Sequence, residues 1–277
     1  MWHNLNILRA PIKPYIQAKN NIFDCYKAGI SVMVGYYAVQ LITTASQFSI
    51  RYTASTEIFA YYSFAFSIMN FINVFVNSTS TCLYPNVKRL GETKRQDAFE
   101  IVAVAGIFLI SLCFLFIPLI DYLITILIPK YADATIYIRI LFPIVLTNGI
   151  SKAVASNIYK VYRLEVQYMR RTVVTAVFAI ILVVLAVVLT SNSYILACVA
   201  VLNTFVNMII MLHGVRRYFH QAGLKLIVVY LLVILVTYYM ALVIYENLFS
   251  YLMFFIVIVI LGCIGLIRER RLLIKGD

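Results

Sequence analysis

The chain has 277 residues, of which 63% are hydrophobic and 12% are charged, and its mean hydropathy is +0.93. Soluble domains carry about 25% charged residues, so this composition excludes an ordinary soluble domain. The formal net charge of +12 could indicate nucleic-acid binding. The basic residues, however, lie in short clusters between apolar stretches and not along one soluble face. We therefore expect a membrane protein without a nucleic-acid partner.

Eight apolar stretches are long enough to cross a membrane as helices, since about 20 helical residues span roughly 30 Å of hydrocarbon. They are too long and too continuously apolar for the alternating strands of a membrane barrel. The predicted spans cover residues 29–50, 58–83, 99–120, 136–159, 172–190, 193–212, 224–245 and 248–267. The sequence therefore predicts an all-α, polytopic transmembrane helical bundle of about eight helices.

The predicted spans divide the chain into three parts. Residues 1–28 place apolar side chains at near-helical spacing with lysines between them, which indicates a segment lying in the cytoplasmic membrane interface. This segment contains no apolar core of the signal-peptide type. Residues 29–212 form a predicted six-helix lobe, and residues 213–277 add two further helices and a basic cytoplasmic tail.

Basic residues alternate between the segments that join the spans. The N-terminal segment, the loops after the second, fourth and sixth spans, and the tail each carry two or more Lys and Arg residues. The intervening loops carry one or none. Because Lys and Arg are enriched in cytoplasmic loops, we expect both termini and the basic loops to lie in the cytoplasm.

Polar residues in the first two spans recur at steps of three or four, which places them on one face of each helix. The candidate residues on these two faces are Gln40, Gln47 and Arg51 in the first span and Asn70, Asn73 and Asn77 in the second. Such side chains are costly in lipid and must face protein or water. Two interpretations stay open: the amides bridge neighbouring helices, or the two spans line a shared water-filled cavity.

Two basic residues lie inside the predicted fourth span. Arg139 lies about 5 Å from its outer end, close enough for the side chain to reach the interface. Lys152 lies deeper, about 12 Å from Lys160 at the cytoplasmic end. Its helix face also carries Asn148, Ser156 and Tyr159. No acidic residue lies in the middle of any predicted span, so Lys152 has no evident partner.

Lys152 therefore has two interpretations. An anionic substrate that passes this cation would offset the cost of placing a charge in the membrane. A lysine on a shorter helix would instead extend to the cytoplasmic interface. On the first interpretation, Lys152, Asn148 and Arg139 join the two polar faces as candidate residues of a substrate pathway.

The rest of the chain offers few candidate functional residues. The last four predicted spans are rich in Val, Leu, Ile and Tyr, with sparse polar residues such as Asn203 and Asn207, so we expect them to form scaffold. Neither the three histidines nor the five cysteines have the spacing of a catalytic or metal-binding motif. We therefore expect no enzymatic activity, no metal site and no cofactor.

Three stretches of the sequence carry a family resemblance. The first span opens with KAGISVMVGYYAVQLI, and the loop after the second span reads CLYPNVKRLGETKR. The fourth span lies in the stretch LIPKYADATIYIRILFPIVLTNGI. Together with the order of helices, over about residues 20–245, these stretches resemble the second half of a Wzx-type oligosaccharide flippase. Such flippases are polysaccharide biosynthesis proteins of the multidrug/oligosaccharidyl-lipid/polysaccharide exporter (MOP) superfamily.

The resemblance implies both a fold and a function. Family members usually have twelve to fourteen helices in two six-helix lobes, and they move undecaprenyl-diphosphate-linked sugars across the bacterial plasma membrane by alternating access. This chain would correspond to the second lobe plus two extra helices. We therefore expect transport of a lipid-linked oligosaccharide for a surface polysaccharide such as O-antigen lipopolysaccharide. The expected surroundings are bacterial inner-membrane lipids, and the expected partner is a missing N-terminal six-helix half or a second copy.

Functions of other classes stay open. A drug/cation antiporter of the same superfamily would be expected to place a carboxylate within its helices, and the middle of the predicted spans has none. A polysaccharide polymerase or ligase, which is an enzyme, generally needs a substantial outer loop, whereas the outer loops here are only a few residues long. A non-transporting membrane scaffold agrees with everything except the two polar faces.

The alternation of basic loops predicts which loops a reagent can reach from outside the cell. Single cysteines at Asn192 and Asn247 should react with a membrane-impermeant thiol reagent added to intact cells, because both positions lie in short loops poor in basic residues. Cysteines at Gly91 and Gly223 should react only after the membrane is permeabilised. Labelling of Gly91→Cys in intact cells would invert the predicted topology.

Overall fold

The computed structural model describes residues 15–190, 192–218, 221–240 and 253–262. These residues form helices joined by short turns, and no strand occurs among them. The helices are α1 (Tyr15–Thr53), α2 (Thr56–Lys88), α3 (Glu92–Cys113), α4 (Ile117–Leu127), α5 (Ala134–Leu141), α6 (Pro143–Ile150), α7 (Asn157–Val161), α8 (Glu165–Thr190), α9 (Ser193–Gly214), α10 (Gln221–Tyr238) and α11 (Met253–Gly262). The predicted all-α class is confirmed.

Six helical segments within the described residues are long and apolar enough to cross a membrane. They are Tyr26–Thr53, Thr56–Lys88, Arg95–Leu127, Ala134–Val161, Glu165–Thr190 and Ser193–Gly214. The first six predicted spans are therefore confirmed as helices, and the chain has the architecture of a membrane-embedded bundle. The seventh and eighth predicted spans are described over α10 and α11, and residues 241–252 and 263–277 lie outside the described part.

The first helix does not stop at the predicted boundary between residues 28 and 29. It begins at Tyr15 and continues to Thr53 without a break. At 1.5 Å per residue its 39 residues extend for about 58 Å, roughly twice the hydrocarbon thickness. Residues 15–28 are thus helical and continuous with the first span, whose apolar spanning segment begins at Tyr26, while residues 1–14 lie outside the described part.

The fourth span, which joins α5, α6, a π-helical segment at Ser151–Ser156 and α7, is the central element of the bundle. Every residue from Ile140 to Ser151 is buried. The helices around it expose large apolar side chains on their outer faces, which suits contact with lipid tails. Polar groups of the fourth span are therefore presented to other helices and not to lipid.

Pro143 interrupts the fourth span between α5 and α6, and α10 supplies the missing hydrogen bonds. Proline has no N–H group, so the carbonyl of Arg139, four residues earlier, loses its helical donor. The Tyr238 hydroxyl donates to that carbonyl at 2.5 Å, and the Tyr239 hydroxyl donates to the carbonyl of Ile140 at 3.2 Å. The end of α10 is therefore hydrogen-bonded to the central helix of the bundle, although the boundary predicted at residue 213 assigns α10 to a separate part of the chain.

Small residues set the position of α1, which packs mainly against α8. Ala38 and Ile42 of α1 form a buried cluster with Ala176 and Ala179 of α8. Small side chains at such contacts let two membrane helices approach closely, and close packing drives their association in lipid. The first helix therefore turns this face towards α8, and its contact with α2 is limited.

Gly35 provides a test of this packing, because a methyl group there would lie 2.5 Å from the Tyr168 ring. Gly35→Ala should lower the thermal unfolding midpoint in detergent, since overpacking costs about 1–3 kcal/mol. Gly29→Ala is the matched control: its methyl group would meet nothing within 4 Å, and replacing a helical glycine by alanine contributes about 0.5–1 kcal/mol of stability. Equal midpoints for the two variants would contradict the close approach.

Candidate functional site

A cavity of about 240 Å³ lies between α1, α2, the fourth span, α8 and α9. The cavity lies near the α7–α8 turn, because its lining includes Lys160 before that turn and Glu165 after it. The basic α2–α3 and α9–α10 turns lie at the same end of the bundle. We call this the basic end. The cavity is lined by Val32, Tyr36, Val39, Asn77, Ser80, Thr81, Asn148, Ser151, Lys152, Ser156, Tyr159, Lys160, Glu165, Tyr168, Asn207 and Met211.

The deep wall of the cavity is formed by polar residues of the fourth span. Asn148 is 6% exposed and Ser151 is 9% exposed, and the Ser151 hydroxyl has no hydrogen-bond partner. Lys152 is next to them in a half-buried position. Its ammonium group makes no ion pair and no hydrogen bond within the described part of the chain. The cavity therefore presents an amide and a cation, beside a buried hydroxyl that has no partner.

The π-helical segment that carries Lys152 is bonded to α2. The Ser80 hydroxyl donates to the carbonyl of Lys152 at 2.9 Å. The Asn157 amide in turn donates to the carbonyl of Ser80 and to that of Ala153, both at 3.0 Å. Both Ser80 and Asn157 are buried. These bonds join α2 to the irregular part of the fourth span at the floor of the cavity.

Tyrosine side chains frame the cavity near the basic end. The rings of Tyr159 and Tyr168 are in contact, with 5.7 Å between their centres. The Tyr159 hydroxyl donates to the carbonyl of Met211 on α9 at 3.4 Å. Glu165, in the first turn of α8, adds a carboxylate to the same wall. This part of the cavity combines aromatic faces with a negative charge.

Three of the nine residues predicted from the sequence line this cavity: Asn77, Asn148 and Lys152. The structure also places Ser156 and Tyr159 there, on the helix face that the sequence assigned to Lys152.

The other residues of the two polar faces lie elsewhere. Gln47 bridges to α2 by donating to the Ser63 hydroxyl at 3.2 Å, and the Arg51 guanidinium lies 5.3 Å from the centre of the Phe59 ring. Asn73 is buried, whereas Gln40 and Asn70 are exposed on the bundle surface. The cavity expected between the first two spans is thus replaced by one deeper in the bundle, because α1 faces α8.

Arg139 is part of an ion pair and does not line the cavity. Its Nε atom lies 2.8 Å from Oδ2 of Asp121, and the two side chains are 19% and 12% exposed. Asp121 lies in the same membrane-spanning region because the third span continues to Leu127, beyond its predicted end at residue 120. The pair joins α4 to α5, which gives Arg139 a structural role at the end of the bundle opposite the basic end.

Helices α8 and α9 supply a cavity wall that the sequence assigned to scaffold. Glu165 and Tyr168 on α8 and Asn207 on α9 line the cavity. Asn207 also accepts a hydrogen bond from the Thr175 hydroxyl at 2.9 Å, which ties the two helices together. The four-residue spacing of Asn203 and Asn207 was the available signal, since it puts two amides on one face of an apolar helix.

The cavity is suited chemically to an anionic group that also accepts hydrogen bonds. Lys152 supplies the positive charge, and Asn148 supplies a neutral donor beside it. Charge-assisted hydrogen bonds from a lysine to phosphate or carboxylate oxygens are stronger than bonds between neutral groups.

Comparisons with protein-family models, with curated proteins and with solved structures found no match to this chain.

Substitutions in the Arg139–Asp121 ion pair should change the stability of the bundle. Arg139→Gln should destabilise the bundle by about 3–5 kcal/mol, because it deprives the buried Asp121 carboxylate of its cation. Replacing both residues, as Arg139→Gln with Asp121→Asn, should restore most of the lost stability. The unfolding midpoint in detergent measures both, and Lys130→Gln, which removes an exposed cation from the same region, is the control. A double variant no more stable than Arg139→Gln would contradict this role.

Proposed function

We propose that this chain is one lobe of a flippase that translocates an undecaprenyl-diphosphate-linked oligosaccharide in the synthesis of a bacterial surface polysaccharide. The observation that carries the proposal is the Lys152 ammonium group, which projects from a buried helix into a polar cavity with no anion paired to it among the described residues. The resemblance of the sequence to Wzx-type flippases supports the same substrate.

An anionic substrate accounts for the position of Lys152. A lysine near the centre of a spanning helix costs about 2.5–3.5 kcal/mol on insertion scales, and a diphosphate would offset that cost. Its oxygens would accept hydrogen bonds from Lys152 and Asn148 on the same wall of the cavity. Tyr159 and Tyr168 would then provide aromatic faces for the adjoining sugar.

The volume of the cavity supports binding of only part of such a substrate. At about 240 Å³ it is smaller than the roughly 300–1,000 Å³ of pockets that enclose a drug-sized ligand. A diphosphate with its first sugar is therefore the portion that the cavity would hold. The lipid tail would remain in the bilayer, and the remaining sugars would need a wall from another lobe.

Exposed polar side chains on α1 and α2 support the need for that second lobe. Gln40 and Asn70 lie within membrane-spanning helices and are exposed on the surface of the chain. Amides that face lipid are costly, and a second bundle would cover them. We propose that the partner is an N-terminal six-helix half or a second copy, and that the basic end faces the cytoplasm of a bacterium.

A second candidate function, a drug/cation antiporter, is favoured by one observation. Glu165 places a carboxylate in the cavity wall, where it could bind a cationic substrate. Lys152 and Lys160 line the same cavity and would repel that substrate, so the anionic substrate agrees better with the balance of charge.

Binding of undecaprenyl diphosphate to the purified chain in nanodiscs tests the proposal. The lipid should raise the thermal unfolding midpoint in a concentration-dependent manner, as any ligand of the native state does. Lys152→Gln should weaken binding by about tenfold or more, because a hydrogen bond to a charged group contributes about 1.5–3 kcal/mol. Lys152→Arg should keep part of the affinity, since the positive charge is retained.

Two controls separate recognition of the diphosphate from other effects. Undecaprenol carries the same chain without the diphosphate and should not distinguish the wild type from Lys152→Gln. Lys130→Gln removes one positive charge outside the cavity and should bind as the wild type does. Equal affinity of the wild type and Lys152→Gln for undecaprenyl diphosphate would overturn the proposal. In cells with the complete flippase, Lys152→Gln should lower polysaccharide export at an unchanged protein level.

A further inference from the structure

The residue that would bind the anion lies in the irregular part of its helix. Ser151–Ser156 is π-helical, with α-helix before it in α6 and after it in α7. A π-bulge places one extra residue in a helical turn and is rare, and it is found frequently at functional sites. Because one residue rotates an α-helix by about 100°, loss of the bulge would turn the residues before it relative to those after it.

Residues before, within and after the bulge line one cavity. Asn148 lies before the bulge, Lys152 within it, Ser156 at its end and Tyr159 after it. All four line the same cavity. Hydrogen bonds of α7 to α2 and α9 hold the later residues in place. With α7 held, relaxation of the segment to an α-helix would turn Asn148 and Lys152 relative to the cavity walls that α8 and α9 form.

A hydrogen bond from another helix holds this segment. The Ser80 hydroxyl donates to the Lys152 carbonyl at 2.9 Å, and it comes from α2 and not from the helix itself. Other serines on α2, such as Ser78, donate to their own helix four residues earlier. Asn157 fixes the position of Ser80 by donating to its backbone carbonyl at 3.0 Å.

We infer that Ser80 is a positioning residue for Lys152: its hydrogen bond to the Lys152 carbonyl stabilises the π-helical segment and so directs the ammonium group into the cavity. Asn157 assists by holding the Ser80 backbone. The role of Lys152 in binding a diphosphate rests on the proposed function, but the effect of Ser80 on the direction of residue 152 does not. Ser80 also lines the cavity, so transport alone would not separate positioning from direct contact with a substrate.

The test measures which way residue 152 points, in the full chain and without a substrate. The five native cysteines are replaced, and a single cysteine is introduced at Asn148, Lys152 or Ser156. Vesicles with the basic end exposed are treated with a positively charged methanethiosulfonate reagent, and the rate of labelling is measured. Each cysteine variant is prepared in four backgrounds: with Ser80 unchanged, with Ser80→Ala, with Ser80→Thr, and with the matched control Ser78→Ala.

Ser80→Ala should slow labelling at positions 148 and 152 by up to about tenfold. The reason is that loss of one hydrogen bond shifts the equilibrium from the π-helical to the α-helical form by up to about that factor. Position 156 should keep its rate, which also shows that the chain remains folded. Ser80→Thr retains the hydroxyl and should retain the rate at 152, and Ser78→Ala should change nothing.

Two results would overturn the inference. One is an unchanged labelling rate at position 152 in Ser80→Ala. The other is an equal change at positions 148, 152 and 156, because a general loss of structure would alter all three and a turn of the helix would not. Failure of Lys152→Gln to weaken lipid binding would instead overturn the proposed function and leave this labelling pattern intact.

Discussion

Polar groups buried inside a membrane protein must find partners within the protein, and the fourth span meets this constraint with side chains from other helices. Pro143 removes one backbone donor, and Tyr238 and Tyr239 at the end of α10 donate to the carbonyls near the break. At the π-helical segment, Ser80 of α2 has the corresponding role. The two irregular points of the central helix are therefore points at which α10 and α2 are attached to it.

The candidate site follows from the second of these irregular points. In a regular helix, the backbone carbonyls accept hydrogen bonds from N–H groups of the same helix. In the π-helical segment, the carbonyl of Lys152 accepts a hydrogen bond from Ser80 of α2, and Asn157 donates to the carbonyl of Ser80. The Lys152 side chain lines the cavity beside these bonds. The cavity and the attachment of α2 to the fourth span thus have one structural cause, and a charge is tolerated there because the surrounding wall is polar.

The two cations of the fourth span show how the same cost is met in different ways. Arg139 is neutralised inside the chain by Asp121, so it stabilises the contact of α4 with α5 and has no charge left for a ligand. Lys152 has no such partner within the described residues and lies in a cavity. Two basic residues on one helix, alike in sequence, therefore differ in their surroundings: within the described residues Arg139 is ion-paired, whereas Lys152 shares its cavity with Glu165 but is not paired with it.

The sequence by itself determined the class, the approximate positions of six spans and the shared face of Asn148, Lys152, Ser156 and Tyr159, because hydropathy and the 3.6-residue period are local properties. Only the tertiary structure decided which helices meet. The small residues of α1 direct it to α8 and not to α2, which left Gln40 and Asn70 outside the cavity and brought in Tyr168 and Asn207. Partners distant in sequence, such as Asp121 for Arg139, depend on packing between helices, and no local pattern specifies that packing.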